Sequence, residues 1–163
     1  MPKQIATIAV AVCSIMAFRA GASQTASSTR DIDRNVWSVI STTVVEHDIA
    51  GMGRLYAIDA VLVTPKGTSP IKDALDRWGR DMVAMKARGD KATVEFRFSR
   101  RQDDSTTAFE VGMFKYTVTS KGVSTPNIHP FEALLVKTNG QWRIVMERQF
   151  DAVTQAEWDK LPK

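Results

Sequence analysis

The chain has 163 residues, 44% apolar and 25% charged, which suits one globular domain and is too short for two of ordinary size. Its formal net charge is +4. Lys3 and Arg19 supply half of that from a segment without acids, so the remainder is nearly balanced. Two short basic clusters, Arg97–Arg101 and Lys86–Arg88, lie beside Asp90, Asp103 and Asp104. They read as a solvated loop rim rather than the sustained basic face that nucleic acid requires.

The first 22 residues differ from the rest. Ile5 to Phe18 carry no charge, follow Lys3, and precede the small residues Ala20-Gly21-Ala22. That pattern is a signal peptide removed near Ala22, which would place the protein in the periplasm or outside the cell. The alternative, a permanent membrane helix, suits the short apolar run less well. Cys13 follows Val12, where a lipid-modified cysteine wants Gly, Ala or Ser, so it reads as an apolar filler. Cleavage would leave no cysteine, excluding disulfides, thiol catalysis and thiolate metal ligands. Residues 23–29 then read as a flexible leader and 30–163 as the domain.

Helical spacing begins with Ile32, Val36, Val39, Ile40, Thr43 and Val44 on one stripe. A shorter helix is expected from Ile49 to Tyr56, weakened by Gly51 and Gly53. Ala60 to Thr64 is a β-branched run closed by Pro65-Lys66-Gly67, hence a strand and turn. Ser69-Pro70 opens the clearest helix, with Ser69 as N-cap, a stripe of Ile71, Leu75, Trp78, Met82 and Met85, and Gly89 as stop.

From Asp90 the period changes to two, with Val94, Phe96 and Phe98 on one face. A turn at Asp103-Asp104 leads to a strand from Thr106 to Thr119, ended by Lys121-Gly122. Val123 to Pro130, with prolines at 126 and 130, reads as an irregular connection. Phe131–Lys137 and Gln141–Gln149 form a hairpin about Asn139-Gly140, the strongest short hairpin signal. A short C-terminal helix is expected over Thr154–Lys160. The fold class is α+β: a cone of three N-terminal helices packed on a strongly curved, mixed but mostly antiparallel sheet.

This order, with Leu55-Tyr56-Ala57-Ile58-Asp59-Ala60-Val61, Glu110-Val111-Gly112, Phe114 and Asn139-Gly140-Gln141-Trp142-Arg143-Ile144, resembles the nuclear transport factor 2-like superfamily and its SnoaL-like (DUF4440) branch. The resemblance covers about residues 30–150. It implies a ligand pocket in the mouth of the cone and dimerisation through the sheet. Ketosteroid isomerase belongs to the same superfamily, and its catalytic positions can be laid on this chain. The base aspartate falls on Thr64 and the first-helix tyrosine on Ile40, so that chemistry is not supported. Its neutral acid falls on Glu132, and Tyr56 matches a pocket tyrosine.

An unbroken two-residue hairpin pairs Val136 with Arg143, Leu134 with Val145, and Glu132 with Glu147 on one face. Two carboxylates roughly 5 Å apart at Cβ in an apolar pocket would separate in pKa and be prepared for acid–base work. Because the opposite face is also apolar, the pattern leaves open which face points inward. Arg143 neutralising either glutamate is the alternative. The candidate catalytic residues are Glu132, Glu147 and His129, and the candidate ligand contacts are Tyr56, Ile40, Thr64, Trp78, Leu134 and Val145. Asp59 reads as a turn acceptor, His47 as a cation at a helix end, and Trp37 as a core or dimer contact. Neither metal nor cofactor is expected. Two functions fit: binding of a small apolar or aromatic molecule with isomerase, dehydratase or cyclase chemistry, or a non-catalytic homodimeric association module.

Overall fold

In the computed structural model, residues 27–162 are described, so the expected signal peptide and the expected cleavage near Ala22 lie outside the described residues. Helix starts earlier than the leader reading allows: residues 27–32 are helical, Ser28 is buried, and the Thr29 hydroxyl donates to Asp103. A π-helical turn, Asp33–Trp37, then leads into helix α1, Ser38–Glu46. The widened turn advances the helix face by about one residue, so Val36 and its neighbour Trp37 are both buried alongside Ile32, Ile40 and Val44. The helix ends at His47 in the left-handed region.

Helix α2 is Ile49–Gly53, with the Asp48 carboxylate accepting from the Gly51 N–H. It stops short of the expected Tyr56, which instead opens strand β1, Tyr56–Thr64. The turn after β1 leads to a strand that the sequence reading lacked, β2, Gly67–Pro70. Ser69 therefore belongs to a strand and caps nothing, and helix α3, Ile71–Arg88, starts after Pro70. Gly89 ends α3 at φ 72°, as a left-handed stop requires.

Strands β3 (Lys91–Asp103), β4 (Thr107–Ser120), β5 (Val123–Thr138) and β6 (Gln141–Gln149) follow, then a short helix α4, Gln155–Trp158. The sheet order is β2-β1-β6-β5-β4-β3; β1 runs parallel to β6 and every other pair is antiparallel. Helices α1, α2 and α3 cover one face of this curved sheet, as the α+β cone requires, while α4 packs on the opposite face, where Trp158 meets Arg97 and Lys115.

β5 corrects the expected irregular connection, since it pairs with β4 from Val123 to Val136 through both prolines. The carbonyls of Ile128 and Pro130 accept from Val153 and Phe150, so even-numbered residues there point their polar groups toward the β6 side. β6 does not reach that stretch. The missing proline N–H groups therefore fall on the edge that β6 leaves unpaired, where a strand tolerates them. The basic cluster near residue 100 is also no loop rim. Arg97 lies over Trp158 and donates to the carbonyls of Trp158 and Leu161, tying α4 to the sheet.

The hairpin at Asn139-Gly140 forms with both residues at positive φ. Its pairing runs as expected to Leu135–Ile144 and then shifts, so that Leu134 faces Met146, Ala133 faces Glu147, and Glu132 faces Arg148. Val145 is the extra residue of a β-bulge. With a side-chain period of two, a one-residue slip moves everything beyond it to the other face. Glu132 and Glu147 are accordingly not paired.

Candidate functional site

Between the helices and the concave sheet face lies a cavity of about 280 Å³. Trp37 and Ile40 line it from the first helix, and Trp78, Met82 and Met85 from α3. The sheet contributes Phe96 from β3, Phe114 and Tyr116 from β4, and Phe131 from β5. The aromatic rings form one cluster: Trp37 stands 4.9 Å from Phe96 and 5.4 Å from Phe131, centroid to centroid. Asp81 and Asn127 are exposed and mark the mouth. Tyr56 and Glu147 are buried at the opposite, inner end.

The polar centre of that inner end is Glu147, 7% exposed. The Tyr56 hydroxyl donates to its Oε2 at 2.6 Å, and Gln149 Nε2 donates to its Oε1 at 2.6 Å. β1 and β6 are neighbouring parallel strands, which brings Tyr56 beside Glu147. Gln149 is two residues along β6 and so shares its face. Burial pushes the Glu147 carboxyl above the usual range, while the two hydrogen bonds pull it down; no cation acts on it. Burial also pushes the Tyr56 phenol well up, and the Glu147 charge adds to this, so Tyr56 remains a proton donor.

His129 lines the cavity and stacks on Phe114 at 5.4 Å. Its Nδ1 lies 2.8 Å from the Phe150 carbonyl oxygen. A carbonyl only accepts, so Nδ1 carries a proton in this hydrogen bond.

The predicted residues divide cleanly. Glu147, His129, Tyr56, Ile40 and Trp78 meet in the cavity. Glu132 lies on the outer sheet face beside Arg148, 3.7 Å away, and is not part of the site. Leu134 shares that outer face, Val145 is the bulge, and Thr64 serves the β1–β2 turn through Lys66 N and Gly67 O. Arg143 neutralises neither glutamate; it donates to the Trp142 carbonyl and the Gln141 side chain.

Behind the cavity sits a second buried carboxylate that the sequence reading passed over. Glu110 has no exposed surface. It accepts from Trp37 Nε1 at 2.5 Å and from Arg101 Nε at 2.8 Å, and Arg101 also meets Asp33. The available signal was phase: Glu110 alternates with Ala108, Gly112 and Phe114 on the inward face of β4. Gln149 was equally legible, two positions beyond Glu147. Among the described residues, no three His, Cys, Asp or Glu side chains gather as a metal site would need.

No protein-family model matches the sequence, and no curated protein matches it. Solved structures do match. A nuclear transport factor 2-like superfamily protein from Salmonella enterica superposes with a TM-score of 0.62 at 14% identity, covering 80% of this chain and 95% of that one. A protein of unknown function from Mycobacterium tuberculosis gives 0.63 at 14% identity, covering 82% and 79%. A ketosteroid isomerase-like protein from Erwinia carotovora gives 0.51 at 19% identity, covering 74% and 95%. Identities this low establish a shared fold and nothing finer.

Proposed function

We propose that this chain, whose fold is nuclear transport factor 2-like, binds a small, largely apolar molecule in its cavity. In this reading, Glu147, held by Tyr56, is the acid–base group of the site. One observation carries it: a buried carboxylate without a cation, hydrogen-bonded only to neutral donors, stands at the inner end of an aromatic-lined cavity. Burying a charge unpaired is costly and is seldom kept for stability alone.

A single group of this kind suits a proton relocation, in which Glu147 takes a proton from one atom of the ligand and returns it to another. Isomerase chemistry fits that description better than a mechanism needing two carboxyl groups, because Glu132 faces away. Kinship with the SnoaL-like (DUF4440) branch is part of the proposal, supported by Leu55–Val61 and Asn139–Ile144, as is export after cleavage near Ala22. The test is a thermal-shift screen of apolar metabolites against the wild type and Glu147→Gln. Ligands that stabilise the wild type and lose that effect in the variant support the site; ligands indifferent to the change remove Glu147 from it.

A second reading has its own observation. Phe109, Leu134 and Met146 lie in register across β4, β5 and β6 on the outer face, partly exposed. An apolar row on an open sheet face suits a homodimer contact. Leu134→Glu would then give a monomer in sedimentation, and a wild type that already sediments as a monomer excludes it.

A further inference from the structure

The charge inside the cavity is one-sided. Its lining includes two carboxylates, Glu147 at the inner end and Asp81 at the mouth, and no lysine or arginine. The other titratable groups facing it are Tyr56, Tyr116 and His129. Both tyrosines have their phenols pushed up by burial and remain neutral donors. His129 has its Nδ1–H committed to the Phe150 carbonyl. The cavity thus supplies two carboxylates, with no lysine or arginine to receive a ligand's anion.

The walls point the same way. Trp37, Phe96, Phe114 and Phe131 form a continuous aromatic cluster, and a ring face attracts a cation within about 6 Å of its centroid. Glu147 has each oxygen bonded once, to Tyr56 and Gln149. A carboxylate oxygen has two lone-pair sites, so both retain acceptor capacity. An ammonium would give this carboxylate the counter-charge that the protein withholds, and its apolar body would cover the aromatic walls.

We infer that the cavity takes a molecule carrying one protonated amine on an apolar ring or chain, with the ammonium against Glu147 and the hydrocarbon along the aromatic walls. This rests on the reading of the cavity as a binding site and names the class of ligand. Binding of such an amine requires Glu147 ionised. The carboxyl is held up by burial, so affinity rises with pH through its titration, and a proton is released on binding wherever it starts protonated.

The experiment is calorimetric titration of the purified protein with three molecules of similar size: phenethylamine, phenethyl alcohol and phenylpropionate. The amine is expected to bind at least about tenfold more tightly than the alcohol, since pairing its charge with a desolvated carboxylate exceeds the free energy of one decade. Phenylpropionate is expected to be weakest. In Glu147→Gln, the amine should lose its advantage over the alcohol, in a variant whose cooperative unfolding shows it to be folded. An alcohol that matches or exceeds the amine in the wild type overturns the inference and leaves a neutral-ligand site standing. Failure of all three, together with failure of a hydrophobic dye to enter, overturns the binding reading itself.

Discussion

Glu110 and Glu147 are both buried glutamates on the concave face of one sheet, and they are handled in opposite ways. Glu110 has a guanidinium on one oxygen and an indole N–H on the other. Burial pushes its carboxyl up and Arg101 opposes that. Glu147 has only a phenol and an amide, and it lines the cavity. The first is saturated from within the chain; the second keeps unused acceptor sites. Burial alone therefore does not mark a functional acid. What marks it is burial without a charge partner, beside space for a ligand.

Trp37 joins the two. Its N–H caps Glu110 while its ring forms cavity wall. The π-helical turn makes this double use available, because it lets residues 36 and 37 both face inward.

The contrast can be broken most severely at Arg101. Replacing it with methionine leaves Glu110 buried without a cation, which should cost about 3–5 kcal/mol in urea unfolding at neutral pH. Because protonating Glu110 relieves the penalty, the deficit should shrink as pH falls. A loss independent of pH would mean that Arg101 acts by packing alone. Next comes Gly112, two residues beyond Glu110. A Cβ there would stand 2.2 Å from the Arg97 carbonyl oxygen, beside the β3 irregularity between Phe98 and Arg100. Gly112→Ala should therefore cost roughly 1–3 kcal/mol, since the backbone must shift to admit it.

Tyr56→Phe is expected to cost about 1 kcal/mol, the net worth of a typical lost hydrogen bond. It should also raise the Glu147 titration further in carbon-13 spectra, because the lost bond favours the ionised form. A downward shift would contradict the assigned bond.

The smallest stability effect belongs to Glu147→Gln, within about 1 kcal/mol of the wild type at pH 8 and on the stabilising side, because it deletes a charge that the fold does not neutralise. The pH dependence identifies the cause. A folded-state carboxyl pKa above its unfolded value means the folded state binds more protons between the two. Wild-type stability must then be fullest below the unfolded value and fall as pH rises toward the folded one. Glu110 adds a slope of the same sign, so the difference between wild type and Glu147→Gln isolates Glu147. Equal slopes in the two proteins would show that Glu147 titrates normally.

The amino-acid order alone determined the elements whose signals are local. Asn139-Gly140 adopts positive φ at both positions because a tight hairpin demands it, Gly89 ends α3 for the same reason, and Phe96 and Phe98 fall in phase on β3. Tertiary structure decided which residues meet. Val145 bulges out of β6 and sends Glu147 inward, away from Glu132; Pro126 and Pro130 sit in an ordinary strand because β6 ends before reaching them; Arg101 finds Glu110 across β3 and β4. A strand's faces alternate with every residue, so one inserted position reverses all that follows it. That insertion is set by how neighbouring strands curve together, and no single segment's pattern records it.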